Sequence, residues 1–164
     1  MARSQSSVHL RIAVWMGIEM SRNITLYTDG SGTINTLPGE WAAILVCGEH
    51  VKELSGGSNA ASNNEMEITA VYEGLKAIKR RSIEIEIITD SDVVIHWLTR
   101  DTARKTDYAK RLCSAIDYMA VDMDWTLRPK WVKGHSGNTY NERCDELAGL
   151  ERAKRMPVKE KMAV

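Results

Sequence analysis

From residue 24 onward the chain changes its hydrophobic rhythm several times. Ile24-Thr-Leu-Tyr-Thr-Asp29 alternates apolar and polar positions and stops at Gly30-Ser31-Gly32, the pattern of a strand that runs into a turn. Glu40 to Cys47 and His50 to Leu54 read as two more strands. Only Gly48-Glu49 separates them, so they are predicted to be antiparallel neighbours, and Gly56-Gly57 is expected to end the meander. Ser62-Asn-Asn-Glu65 has the spacing of a capping box, and Met66 to Arg81 carries Ala70, Val71, Leu75 and Ile78 on one stripe of an amphipathic helix. Ile83 to Thr89 returns to a strand and ends at Asp90-Ser91. A strand, a helix and a strand in succession imply a right-handed crossover that sets the later strand parallel to an earlier one. Asp92 to Leu98 and Thr106 to Val121 are predicted helices, and Trp125 to Val132 is the last strand. Thr139-Tyr-Asn-Glu142 is a second capping box, opening a helix to about Arg155. The order β-β-β-α-β-α-α-β-α predicts one α/β domain built on a mixed sheet, with no internal repeat.

A chain of 164 residues with 43% hydrophobic and 27% charged side chains has room for one buried core, which excludes wholesale disorder and a membrane-spanning protein. Residues 1–22 read as a weakly ordered extension: Ile12 to Ile18 is apolar but too short to cross a bilayer, and Met20-Ser21-Arg22 would serve as a start just before the first strand. Ser4, Ser6, Ser7, Arg3, Arg11 and Arg22 also give this stretch the composition of an organellar presequence. Residues 156–164 are expected to fray as a basic tail. Cys47, Cys113 and Cys144 have neither C-x-x-C spacing nor a histidine at zinc-finger distance, which points to reduced thiols and a cytoplasmic setting.

Charge changes the picture further. Basic and acidic side chains number 22 each, but both ends are basic, so residues 24–150 carry a net charge of −5. An acidic middle opposes phosphate binding unless cations neutralise part of it. Four carboxylates stand where chemistry rather than folding would put them. Asp29 and Asp90 each end a predicted strand after a Thr, and parallel strands would bring both to the carboxyl edge where α/β sheets bind ligands. Glu67 shares the apolar stripe of its helix, and Asp145, three before Ala148, is expected to face the sheet. Singly, each has an ordinary explanation as a turn residue, a stripe-margin residue or a dipole partner. Together they would repel and raise one another's pKa unless something positive sits among them. Oxygen ligands without a converging Cys or His point to magnesium or manganese.

Thr28-Asp-Gly-Ser31, Asn63-Asn-Glu-Met-Glu67, Thr89-Asp-Ser91, and Trp131-Val-Lys-Gly-His-Ser-Gly137 followed by Asn141-Glu-Arg-Cys-Asp-Glu-Leu-Ala148 resemble, in order, the motifs of type 1 ribonuclease H over about residues 24–150. The resemblance implies a five-stranded mixed sheet, three antiparallel strands then parallel ones, flanked by helices. It also implies cleavage of the RNA strand of an RNA–DNA hybrid by two-metal catalysis, leaving 5′-phosphate and 3′-hydroxyl ends. On its motifs Asp29, Glu67, Asp90 and Asp145 fall on the metal ligands, with two Mg2+ per site and Mn2+ as a substitute. Asp29 would bridge the ions, Asp145 would serve the ion that activates water, and Glu67 with Asp90 the ion at the departing 3′ oxygen. His135, by itself a surface loop histidine, falls on a residue that assists proton transfer or product release. Asn63 and Asn64 could simply cap their helix; on the resemblance both count among the substrate-binding residues, Asn64 as a candidate for minor-groove contacts, with Asn35 and Ser62 for a DNA-strand phosphate. The expected partner is the hybrid duplex, bound by a monomer with no membrane and no obligate protein partner.

Two departures qualify the resemblance. Many bacterial members insert a basic, Trp-rich protrusion after the second helix, where this chain has only Leu98 to Asp107, with Arg100, Arg104 and Lys105 as its cations. Asp92 stands where the family commonly has Gln, either weakening substrate binding or pointing to solvent. A non-catalytic nucleic-acid-binding module and a junction resolvase or integrase-like nuclease are the competing readings. The complete carboxylate set opposes the first, and the Gly134-His135 loop with Asn63-Asn64 opposes the second.

Overall fold

The computed structural model describes residues 23–32 and 37–155. The expectations for the extension, the tail and Asn35 lie outside these residues. Five strands form one sheet in the order β3-β2-β1-β4-β5: β1 (Asn23–Ser31), β2 (Gly39–Cys47), β3 (His50–Ser58), β4 (Glu84–Thr89) and β5 (Thr126–Trp131). The first three are antiparallel, and β4 and β5 add in parallel on the other side of β1. Four helices connect and cover them: α1 (Asn63–Lys76), α2 (Asp92–Thr99), α3 (Asp107–Met123) and α4 (Thr139–Arg155). This is the predicted mixed sheet with its predicted order of elements.

The period-two pattern divides the sheet's faces unequally. Leu26, Ala43, Leu45, Ile85 and Ile87 face α1, α2 and α3 and enclose Ile68, Val71, Leu75, Val94, Trp97, Cys113 and Ile116, the main core. Among the described residues the opposite face carries α4 alone, which buries Cys144 and Ala148 against Ala42 and Ile44, with Tyr27 and Tyr140 in ring contact at 5.0 Å. On that face Ile88 is buried, and the rest of β4 and β5 is polar, with Glu84 paired to Arg128 at 2.7 Å and Glu86 to Lys130 at 3.5 Å. Among the described residues no helix is long and apolar enough to cross a membrane.

Three local expectations need correction. β3 does not stop at Gly56-Gly57 but runs to Ser58, because the glycines make room for neighbours. A Cβ on Gly56 would sit 2.7 Å from the Trp41 indole, and one on Gly57 2.4 Å from the Gly39 carbonyl oxygen. α1 ends at Lys76 rather than Arg81: Ile78 turns into the core, the Trp125 indole N–H donates to the Arg80 carbonyl at 2.7 Å, and Ser82 donates to Met123 O at 2.9 Å. Tertiary packing here overrides helix propensity. The last helix is capped one residue earlier than its sequence suggests, since Asn138 Oδ1 accepts from Asn141 N at 3.1 Å and Glu142 Oε1 accepts from Gly137 N at 3.0 Å.

Between α2 and α3 a single 3-10 turn, Asp101–Ala103, replaces any protrusion. Trp97 anchors it, donating from Nε1 to Ala103 O at 3.1 Å, and Arg104 Nε donates to Trp97 O at 2.7 Å. The Arg104 side chain is only 9% exposed and pairs with Asp117 and Asp101. It is therefore a structural clamp and no surface cation for phosphate. Arg104→Ala is expected to lower stability by about 1–3 kcal/mol, the worth of charged hydrogen bonds, in urea melts. The salt dependence of nucleic-acid binding should not move.

Candidate active site

The parallel pairing of β1 with β4 sets the site. Tyr27 lies beside Ile88 in register, and the buried Thr28 hydroxyl donates to Ile88 O at 3.5 Å, so Asp29 and Asp90 leave the sheet at one carboxyl edge. Thr89 Oγ1 accepts from Ser91 N at 3.1 Å, and Ser91 Oγ accepts from Val94 N at 3.3 Å as the cap of α2. Asp90 is thereby held between a strand end and a helix start. Its main-chain oxygen also accepts from the Trp131 indole at 2.9 Å.

Glu67 arrives from α1, and Gly30 makes its approach possible. A Cβ at Gly30 would meet Glu67 N at 2.2 Å, so only glycine lets α1 lie this close to β1. One oxygen each from Asp29, Glu67 and Asp90 falls within 4.8 Å of the others. Asp29 and Glu67 are buried, and Glu67 Oε2 has no hydrogen-bond partner among the described residues.

These carboxyls cannot all be charged without help. Burial, then Asp90 and Asp145, raise Asp29 to about 7 against the opposing Gly30 N–H and His135. Burial, then Asp29 and Asp90, push Glu67 up to about 9, opposed by Gly30 N–H and the Asn63 side chain. A divalent cation suits this donor set. It answers the repulsion, accepts hard carboxylate oxygens and gives the orphaned Glu67 Oε2 a partner.

The remaining predicted residues divide. Asp145 does not face the sheet. Cys144 takes the inward position on α4 and Asp145, one residue round the helix, is exposed, yet near enough for its charge to raise Asp29. His135 is exposed in the left-handed backbone region, with φ of 50°, in the loop between β5 and α4. That loop lies on Asp90, since a Cβ at Gly134 would stand 2.5 Å from Asp90 Oδ2. Ser62 caps α1 by accepting from Glu65 N at 3.3 Å. Asn63 Oδ1 accepts from Gly32 N at 3.3 Å, and half-buried Asn64 follows it in the first turn. Asp92 is exposed in the first turn of α2.

Sequence reasoning missed Asn141, which is buried and directs Nδ2 toward Asp90 Oδ2 at 3.5 Å. Its signal was available, because a residue four before Asp145 shares that residue's helix face. The reasoning also missed the half-exposed Trp131 and the buried Glu40, which pairs with Arg152 Nε at 2.6 Å.

A mixed five-stranded sheet with an acidic cluster at the ends of its central parallel strands has the form of a metal-dependent nuclease of the ribonuclease H type. Residues 21–152 match the family described as RNase H, and the chain belongs to that family. It is 40% identical over 141 residues to the Ribonuclease H of Chlorobium phaeovibrioides, covering 80% of this chain and 96% of that one. RNase H1 from the halophilic archaeon Halobacterium salinarum superposes with a TM-score of 0.65 at 25% identity, over 80% of this chain and 98% of that one. LC11-RNase H1, solved in complex with an RNA/DNA hybrid, gives 0.66 at 20% identity over 80% and 97% and shows the shared fold.

A carboxyl with a raised folded-state pKa binds its proton more tightly in the folded chain, so stability falls as pH climbs from the unfolded value toward the folded one. Without metal, the contribution of these two carboxyls should be fully present below about pH 4 and be lost toward pH 7 through Asp29 and toward pH 9 through Glu67. Asp29→Asn should then raise metal-free stability at pH 8 by about 2–4 kcal/mol. Added Mg2+ should stabilise the parent more than the variant, as thermal melts across pH would show.

Proposed function

We propose that this chain hydrolyses the RNA strand of RNA–DNA hybrids, with Mg2+ in the site, Mn2+ accepted in its place, and products ending in 5′-phosphate and 3′-hydroxyl. The observation that carries this reading is the convergence of Asp29, Glu67 and Asp90 within 4.8 Å in a chain of the RNase H family. Two divalent cations held there would supply charge neutralisation and Lewis-acid stabilisation at the attacking and departing oxygens. Asp29, whose carboxyl is electrostatically linked to Glu67, Asp90 and Asp145 alike, would be the ligand shared between the cations. Glu67 and Asp90 would hold the cation that serves the departing 3′ oxygen, and Asp145 the one that serves the water. Asn141 and the Gly134 backbone fix the Asp90 carboxylate between them. His135, at the solvent side, takes up and returns protons and eases product exit, work suited to an imidazole.

Recognition of the hybrid falls to the start of α1. Asn63 is engaged with Gly32 and Glu67, which leaves minor-groove contacts mainly to Asn64, with Ser62 and Asn35 toward a DNA phosphate. A 2′-hydroxyl distinguishes RNA from DNA there, and base sequence matters little. Residues 23–155 form the catalytic unit, with 1–22 and 156–164 as appendages. All four carboxylates belong to one chain, in keeping with a monomer, and three free cysteines support a reducing, cytoplasmic setting.

Mg2+ or Mn2+ should support cleavage of the RNA strand in a hybrid, and EDTA should stop it. Equal cleavage of RNA–RNA duplex, or full activity in EDTA, would overturn the reading. Asp29→Asn should lose at least about 100-fold in turnover while remaining folded.

With Arg104 committed to Asp117, exposed Arg100 and Lys105 are the cations of the short α2–α3 link. KM for the hybrid should therefore be high and rise with salt, with turnover at saturation changing less. Grafting a basic protrusion between Leu98 and Asp107 should lower KM and steepen the salt slope by about one unit per added phosphate contact. An unchanged KM would place the binding surface elsewhere.

A further inference from the structure

α4 carries Asp145, and its apolar hold on the sheet is modest: Cys144 and Ala148 are buried against Ala42 and Ile44, with partly buried Tyr140 and Leu147 packed beside Tyr27 and Val46. Polar pins make up the difference. At one end Arg143 Nε and Nη2 donate to Glu53 of β3 at 2.9 and 3.0 Å. At the other, Glu151 accepts from Ser55 Oγ at 2.9 Å, and Arg152 reaches Glu40 and Ser31. The last pin differs from the rest. Glu40 is 1% exposed, its Oε1 lies 2.6 Å from Arg152 Nε, and Arg152 Nη2 donates to Ser31 Oγ at 3.2 Å.

Its position relates it to the acidic site. Ser31 lies two residues beyond Asp29 on the same face of β1, opposite Glu40 in register. Asp145 and Arg152 are seven residues apart on α4, hence on one helix stripe about 10 Å long. One stripe of α4 therefore meets the end of β1 twice, through Arg152 at Ser31 and through Asp145 beside Asp29. Fixing the first contact fixes the rotation and slide of the helix at the second. Apolar burial is non-directional, whereas a two-pronged guanidinium contact fixes both distance and angle.

We propose that Glu40 and Arg152 are positioning residues that set the rotation and slide of α4 and, with them, where Asp145 stands relative to the acids on β1 and β4. The inference rests on Asp145 being a cation ligand. Mn2+ binding to the full chain, followed by electron paramagnetic resonance of the free ion without nucleic acid, tests it apart from catalysis. Arg152→Met should weaken Mn2+ binding about tenfold, as loss of a ligand's supporting partner does. The KM for hybrid at saturating cation should stay within about twofold, because the substrate-facing start of α1 is untouched. Arg152→Lys, which keeps the charge but not the fork, should fall between. The double variant E40Q/R152M leaves no buried unpaired charge and should regain stability while still binding Mn2+ weakly. Wild-type Mn2+ affinity in R152M or in the double variant, measured well below their melting temperatures, would make the pair merely structural and overturn the proposal. If the parent itself neither binds Mn2+ nor cleaves hybrid, the functional reading fails and this inference falls with it.

Discussion

Mutual repulsion among buried carboxyls is the constraint around which the domain is organised. Asp29 and Glu67 are held out of water beside Asp90, at a cost in metal-free stability that the rest of the fold must carry. The large core under α1, α2 and α3 carries it, anchoring the strand and helix that deliver these two acids. Gly30 and the Thr28 hydroxyl bring the elements into contact, and the repulsion that results is what gives the site its appetite for divalent cations.

The fourth acid is supported differently. Asp145 rides on a helix held to the sheet by ion pairs as much as by apolar contact, so the site joins three acids anchored by the main core to a fourth placed by polar pins. Asn141 and the Gly134 loop connect the two parts through Asp90.

Much of this was legible in the sequence. Strand ends marked by Thr-Asp and a helix stripe interrupted by Glu67 locate the three convergent acids, because period and punctuation reflect local rules. What was not legible depends on distant pairings. Gly56 and Gly57 read as a strand terminator until Trp41 and Gly39 are seen to occupy the space they leave. Arg104 reads as a free cation until Trp97 and Asp117 claim it. Glu40 and Arg152 meet across most of the chain, and no periodicity announces that contact. The spacing of Asp145 from Ala148 gave its side of the helix only to within a residue, which is the difference between facing the sheet and flanking it.

The two rims of the sheet are protected unequally. β5 carries Pro129, which offers no amide hydrogen, between Arg128 and Lys130, so a foreign strand finds there a missing donor and a row of charge. β3 is longer, and its first half, His50 to Glu53, is exposed, with Val51 facing solvent; α4 approaches its second half through Glu151 and Ser55. Loosening of α4 would lengthen the uncovered rim of β3. Self-association under stress should begin there, with intermolecular strand pairing propagating from β3 rather than from β5.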